Sequence, residues 1–453
     1  MSKEESSGGL PFTIWMVAIP IFLDMVMSFS MFFIDSYFLS TISTTAAASV
    51  GSIIPIYVIF VLLFMMIAQG GANVAGHQLG AKLKDKVNLT YSGTLYLNAV
   101  IGLGVFLFLF ILGPDLVSLF GFGEQGEFYA GEYLKYISIA LWIFGIKTAL
   151  SVVCLSHGKT HYNLYSGIIV NILNITLNAL FVFVFDMGVY GVVLATIISQ
   201  TMAALYYLFI VVSRFKVVFV FSEMLKQRST VLGPILAIGL PASIQPISAE
   251  AGMFVLSLIA VSIGEEAMAA RVFVMNLLTL AICWSSALSI GNQIIVSHLY
   301  GARQYQLLGK KVDEHIRYAM AGSMIIMLIL VAASQPLLGI FTSSSQIISS
   351  GVVLLILGLV IEPVRSHAMI VSYSLKATGD AAFPAIIGVI STWLIAVPVG
   401  YLLGVEMGIG VAGLWIALLI DEVIRAGINN ARWLSGKWQA TDMAHLRTEP
   451  QEA

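Results

Sequence analysis

Asp35 is the residue of this chain best placed to do chemistry. It closes the apolar run PIFLDMVMSFSMFFIDSYFLS, and an ionisable group in such a run is costly enough that a function or a partner must account for it. Asp24 lies earlier on the same run. Further along, in NLYSGIIVNILNITLNALFVF, Asn171, Asn174 and Asn178 follow i, i+3, i+7 spacing and share one helical face. Thr196, Ser199 and Gln200 come back to a similar depth in the next run, and Tyr37 follows two residues after Asp35. Desolvation and hydrogen-bond donors act on a carboxylate in opposite senses, so Asp35 with Asn174 and Asn178 forms a candidate ion-coupling site. Tyr37, Asn171, Thr196, Ser199, Gln200 and Glu250 are candidates for the cavity or network around it. In the competing reading the asparagines only join helices, as polar side chains do in membranes.

Other polar residues carry weaker signals. Glu250, in GLPASIQPISAEAGMF, reads either as a cavity acid or as a helix-pairing one. Glu362 and Arg365 are spaced to pair on one helical face, and Asp421, Glu422 and Arg425 read as a second local pair. His157 and His161 have the i, i+4 spacing of a metal pair, yet they straddle a Gly-Lys-Thr loop and no nearby carboxylate completes a ligand set. No metal or cofactor is expected. Cys154 and Cys283 both fall inside apolar runs, which suggests neither a disulfide framework nor a thiolate site.

The elements that must position these residues follow from composition. With 59% hydrophobic and 10% charged residues, 453 residues cannot hide their apolar surface in a water-soluble core. Apolar runs of spanning length occur at roughly 12–39, 51–78, 93–113, 133–156, 163–185, 190–213, 233–261, 271–298, 318–340, 351–375, 384–404 and 411–431. The first is long and lacks an Ala-x-Ala exit, so it reads as a span rather than a signal peptide. The chain also repeats itself. Pro20 returns as Pro241, 221 positions later, and the same offset carries Gly70 to Gly291, His77 to His298, Gly80-Ala81 to Gly301-Ala302, Lys82 to Arg303, Phe120 to Phe341 and Gly158 to Gly379. The expected fold is an all-α membrane protein of 12 transmembrane helices in two six-helix bundles, 1–225 and 226–453. An even number of spans per half gives both halves one orientation, related by a pseudo-twofold axis along the membrane normal.

Basic residues set the expected orientation. Lys82, Lys84, Lys86, Lys159, Arg214, Lys216, Lys226, Arg228, Arg303, Lys310, Lys311, Arg317, Lys376, Arg432, Lys437 and Arg447 fall on one side, while the alternate loops carry Asp115, Glu124, Glu127, Asp186, Glu265, Glu266 and Glu406. By the positive-inside rule both termini are cytoplasmic, in a multi-pass protein of the cell membrane. With the basic residues divided among these loops, the net charge of −2 gives no reason to expect nucleic acid. A monomer is expected, since a cavity can form between two halves of one chain.

At this point the residues carry a resemblance. PIFLDMVMSFSMFFIDSYFLS resembles the first helix of the multidrug and toxic compound extrusion (MATE) family, with its proline and its aromatic-Ile-Asp-Ser setting. GANVAGHQLGAK and GNQIIVSHLYGAR resemble the ends of its helices 2 and 8. LNITLNALFVF followed by MGVYGVVLATIISQ resembles its passage from helix 5 to helix 6, and SLKATGDAAFP its helix 10 exit. The resemblance covers nearly the whole chain. It implies an exporter of bulky, often cationic aromatic xenobiotics, driven by a proton gradient in preference to sodium, with Asp35 as the coupling carboxylate. It implies no enzyme. The DNA-damage-inducible-type branch, which the chain resembles more closely, often has aspartate where Asn178 stands. Glu250 resembles the acid of the sodium-coupled branch but lies one residue further from Pro241, about 100° around a helix. Arg365 sits near where that branch would have an acid. Pro20 gives the first helix a place to bend. A lipid or lipid-precursor translocase and a membrane enzyme are the rival readings. A major facilitator carrier would carry Gly-x-x-x-Asp-Arg-x-Gly-Arg, and GHQLGAKLKDKV does not match it.

Overall fold

The computed structural model describes residue 10 and residues 12–440, and for Phe32 and Phe33 the backbone alone. Twelve long helices follow one another among the described residues: α1 (Ile14–Ile42), α2 (Thr44–Gly80), α3 (Lys84–Ser118), α4 (Glu124–Ser156), α5 (His161–Val184), α6 (Gly188–Ser213), α7 (Arg228–Ile263), α8 (Glu265–Gly301), α9 (Tyr305–Ala332), α10 (Ser345–Ala377), α11 (Ala382–Glu406) and α12 (Val411–Leu434). The protein is an all-α membrane protein. Eleven of these helices are long and apolar enough to cross a bilayer. The twelfth, α12, has the length but carries Asp421, Glu422 and Arg425, whose charges are paired inside the protein.

The repeat fixes where helices begin and end. Ser43 caps α2, its hydroxyl accepting from the Thr45 and Ala46 amides, and Gly264 stands 221 residues later at the start of α8. Gly123 and Ser344 hold the same relation at the starts of α4 and α10. Serine and glycine are both favoured at this position, so the exchange conserves the start. Helix ends repeat too. Lys82 and Arg303 take left-handed φ of 61° and 56°, and the following amides of Leu83 and Gln304 reach back to Gln78 and Leu299 at 2.8 and 2.9 Å. Gly158 (φ 65°) and Gly379 (φ 87°) end α4 and α10 in the same way. These are Schellman-type stops, which satisfy carbonyls that a helix end leaves open.

The described residues divide into two compact units. Residues Ile19–Leu240 form one; those up to Ala18 together with those from Pro241 onward form the other. The cuts between these compact units fall beside Pro20 and Pro241. Packing at the helix starts explains them. In the first unit the start of α7 lies against α2, where a Cβ on Gly239 would be 2.9 Å from Ile67 Cα and 3.1 Å from the Met66 carbonyl oxygen. In the second unit the start of α1 lies against α8, with Gly291 facing Ile14 and Ala18. Arg447, read as following the last helix, lies outside the described residues.

Lys376 departs from the sequence reading. It sits in the last turn of α10 at 3% exposure, its ammonium over the Tyr373 ring at 4.9 Å, and so is not a loop residue. The two local pairs of the second unit also join into one cluster. Arg365 holds Glu362 at 2.6 Å and Glu422 at 3.0 Å, while Arg425 holds Glu422 and, at 3.4 Å, Asp421. Ser391 on α11 donates to Asp421.

Candidate functional site

In the first unit, α1, α2, α4, α5 and α6 enclose a cavity of about 310 Å³. Each helix contributes one face. Asp24, Ser28, Met31, Asp35 and Leu39 form a stripe on α1 at spacings of three and four. Asn163, Ser166, Gly167, Val170 and Asn171 do the same on α5, and Thr196 and Gln200 on α6. Tyr57, Tyr133 and Phe144 supply aromatic wall, and Lys147 on α4 is its one lysine. A largely apolar cavity with a few convergent polar groups is the usual form of a small-molecule site.

Asp35 lies at the head of a hydrogen-bond chain. Asn178 Nδ2 donates to Asp35 Oδ1 at 2.8 Å and to Asn174 Oδ1 at 2.9 Å, while Asn174 Nδ2 donates to Thr196 Oγ1 at 3.3 Å. Thr196 in turn donates to the Val192 carbonyl oxygen at 3.0 Å, which anchors the chain to α6. Asn174 and Asn178 are fully buried. The chain fixes the direction of each amide, so Asp35 meets a donor rather than another oxygen. Past Asn178 the helix closes with a π turn, Leu180–Val184.

The other sequence candidates separate. Asn171 lines the cavity and donates to the Gly167 carbonyl oxygen at 2.9 Å. Gln200 lines it with a buried Oε1 that has no partner, an open acceptor. Ser199 is buried but directs its hydroxyl to the Ala195 carbonyl oxygen at 2.7 Å. Tyr37 is 62% exposed and lies off the cavity wall, because two helical residues beyond Asp35 is about 200° around the axis. Glu250 belongs to the second unit and is exposed. His157 and His161 are engaged locally: His157 Nδ1 lies 2.9 Å from the Val153 carbonyl oxygen and 3.2 Å from the Tyr91 hydroxyl, and His161 packs on Tyr162.

A family model, MatE, matches residues 20–180 and again residues 241–402, two stretches that start 221 residues apart. The chain belongs to the MatE family. This is a family of transporters, and the double match is the internal repeat seen a second way. Among its relatives, the uncharacterized transporter YisQ of Bacillus subtilis is 26% identical over 439 residues, covering 96% of each chain. The probable multidrug resistance protein NorM of Thermotoga maritima is 25% identical over 418 residues, covering 89% of this chain and 88% of its own. A solved structure of the Vibrio cholerae MATE transporter VcmN, a mutant, superposes with a TM-score of 0.85 at 19% identity, covering 96% of this chain and 98% of that one. At that identity the likeness speaks for the MatE fold alone.

Two cations within the spans of this MatE protein, Arg271 buried and Lys147 half-buried, escaped the sequence reading. Lys147 interrupts the apolar stretch FGIKTAL and faces the cavity. Arg271 on α8 is 3% exposed, donates to the Met253 carbonyl oxygen at 3.1 Å and the Ser257 hydroxyl at 3.3 Å, and stacks over Trp415 at 5.6 Å. The signal that would have found Lys147 is a basic residue well inside the run 133–156, whereas Arg271 stands first in the run 271–298, where a basic residue reads as a snorkelling end.

Proposed function

We propose that this protein exports bulky amphiphilic compounds, cationic aromatics above all, by exchanging them for protons at Asp35. The observation that carries this reading is the Asp35–Asn178–Asn174–Thr196 chain at the wall of a partly aromatic cavity. Ionised Asp35, held by Asn178, attracts a cation to the cavity, and Tyr57, Tyr133 and Phe144 offer ring faces to it. A proton arriving at Asp35 removes that attraction and releases the substrate. Asn174 and Asn178 stay neutral throughout, so one carboxylate carries the charge change. Pro20 interrupts the backbone bonding of α1 a few turns before Asp35, which gives the charge change a helix to act on. One proton exchanged for one monocation moves no net charge, so the pH difference drives the exchange, each unit being worth about 1.36 kcal/mol and about a tenfold substrate ratio.

The names of relatives such as the probable multidrug resistance protein NorM support the substrate class. Arg365 supports protons over sodium: where a second coupling acid would stand, it is tied to Glu362 and Glu422. On this reading the chain acts as a monomer in the cell membrane with both termini cytoplasmic, its repeats being 1–225 and 226–453, and it falls nearer the proton-coupled branch. In proteoliposomes, ethidium transport is expected to follow an imposed pH gradient and to ignore a sodium gradient. Transport driven by sodium alone would contradict the proposal.

A further inference from the structure

Asp35 is not alone in its cavity. Asp24 lines the same space one stripe length away on α1, and Lys147 faces it from α4. None of the ion pairs within 4.0 Å among the described residues involves either. Both are held where they are. The Asp24 carboxylate occupies the place that a Cβ on Gly167 would take, so only glycine there admits it. The Lys147 ammonium rests 4.6 Å from the centre of the Phe144 ring. Two opposite charges thus stand apart across a space that a ligand can enter. In a medium of low dielectric such an arrangement sets a net charge without closing on itself.

We propose that Asp24 and Lys147 form a charge-balancing subsite that fixes the cavity's selectivity for organic monocations. The inference rests on the reading of Asp35 given above. With Asp24 and Lys147 cancelling, the cavity carries one negative charge when Asp35 is ionised and none when it is protonated. A monocation then meets a complementary site in the first state and a neutral one in the second. A dication is matched in neither. Without Lys147 the cavity would carry two negative charges before protonation and one after it, so it would favour dications and would still hold a monocation after the proton arrived. Without Asp24 it would be neutral before protonation and positive after it.

The test is equilibrium binding to the purified protein, at one fixed pH, of tetraphenylphosphonium as the monocation and methyl viologen as the dication. Lys147→Met is expected to tighten tetraphenylphosphonium binding and Asp24→Asn to weaken it, each by about thirtyfold, the effect of a unit charge about 8 Å away at an effective dielectric near 20. Methyl viologen should gain more than tetraphenylphosphonium from Lys147→Met. The double variant should return to within about threefold of the unsubstituted protein, since the two charges are removed together. Opposite shifts that cancel in the double are not what misfolding or lost packing produces. Single variants that shift affinity in the same direction, or a double variant worse than either, would overturn the inference while leaving an Asp35-dependent affinity intact. Binding that is absent, or indifferent to Asp35→Asn, would overturn the proposed function and this subsite with it.

Discussion

Asp35→Asn is expected to abolish proton-driven ethidium accumulation in proteoliposomes and to weaken ethidium binding by roughly a hundredfold. A unit charge facing a cation at about 5 Å, in an effective dielectric near 20, is worth about 3 kcal/mol, which corresponds to about two decades of affinity. The substitution keeps the side chain's shape and still offers an oxygen to Asn178 Nδ2, now 2.8 Å from Asp35. Thermal unfolding in detergent should therefore change little. Loss of transport with stability retained separates a coupling role from a structural one. Transport that persists at the unsubstituted rate would move the coupling charge elsewhere in the protein.

The second large effect belongs to the other unit. Arg365→Leu should destabilise the protein by about 3–5 kcal/mol, because it leaves buried carboxylates without their partner. Glu362 is fully buried and one of its oxygens already lacks a hydrogen bond, so it has no second donor to turn to. Glu422 would retain Arg425 alone. The loss should appear as a marked fall in unfolding temperature and in monodisperse yield. Arg365→Lys should recover only part of it, since one ammonium cannot reproduce the fork that reaches Glu362 through Nη1 and Glu422 through Nε. An unfolding temperature unchanged in Arg365→Leu would mean that the cluster contributes nothing to the fold.

Helix number and several stops were legible in the sequence because they are local, but the ends of many spans were not: the run 318–340 was expected where the helix is Tyr305–Ala332, and 93–113 where it is Lys84–Ser118. Spans need only apolar length, and the stops at Lys82, Arg303, Gly158 and Gly379 need only a few neighbouring residues. The contact of Asp35 with Asn178 spans 143 residues, yet it could be anticipated, since few polar residues of these spans were candidates to meet. Facing was harder to read: Tyr37 stands two residues beyond Asp35, about 200° around the helix, and is exposed. Lys147 escaped because basic residues were read for topology in loops, and a single lysine within a span left no periodic trace. The i, i+3 pairing of Glu362 with Arg365 was readable, whereas its joining to Glu422, 57 residues beyond Arg365, depends on how α10 and α12 pack. The cuts between the compact units likewise depend on Gly239 against α2 and Gly291 against α1, close approaches that no stretch of sequence displays.

The central claim is that substrate and proton compete for Asp35, and proton release on binding tests it most directly. By linkage, a cation that binds only the ionised form must expel the proton from whatever fraction of Asp35 carries one. Saturating ethidium added to the purified protein in weakly buffered detergent is expected to release up to about one proton per chain across a pH series, with Asp35→Asn releasing none. Release that persists undiminished in Asp35→Asn, or ethidium bound by the unsubstituted protein with no proton released at any pH, would contradict the account.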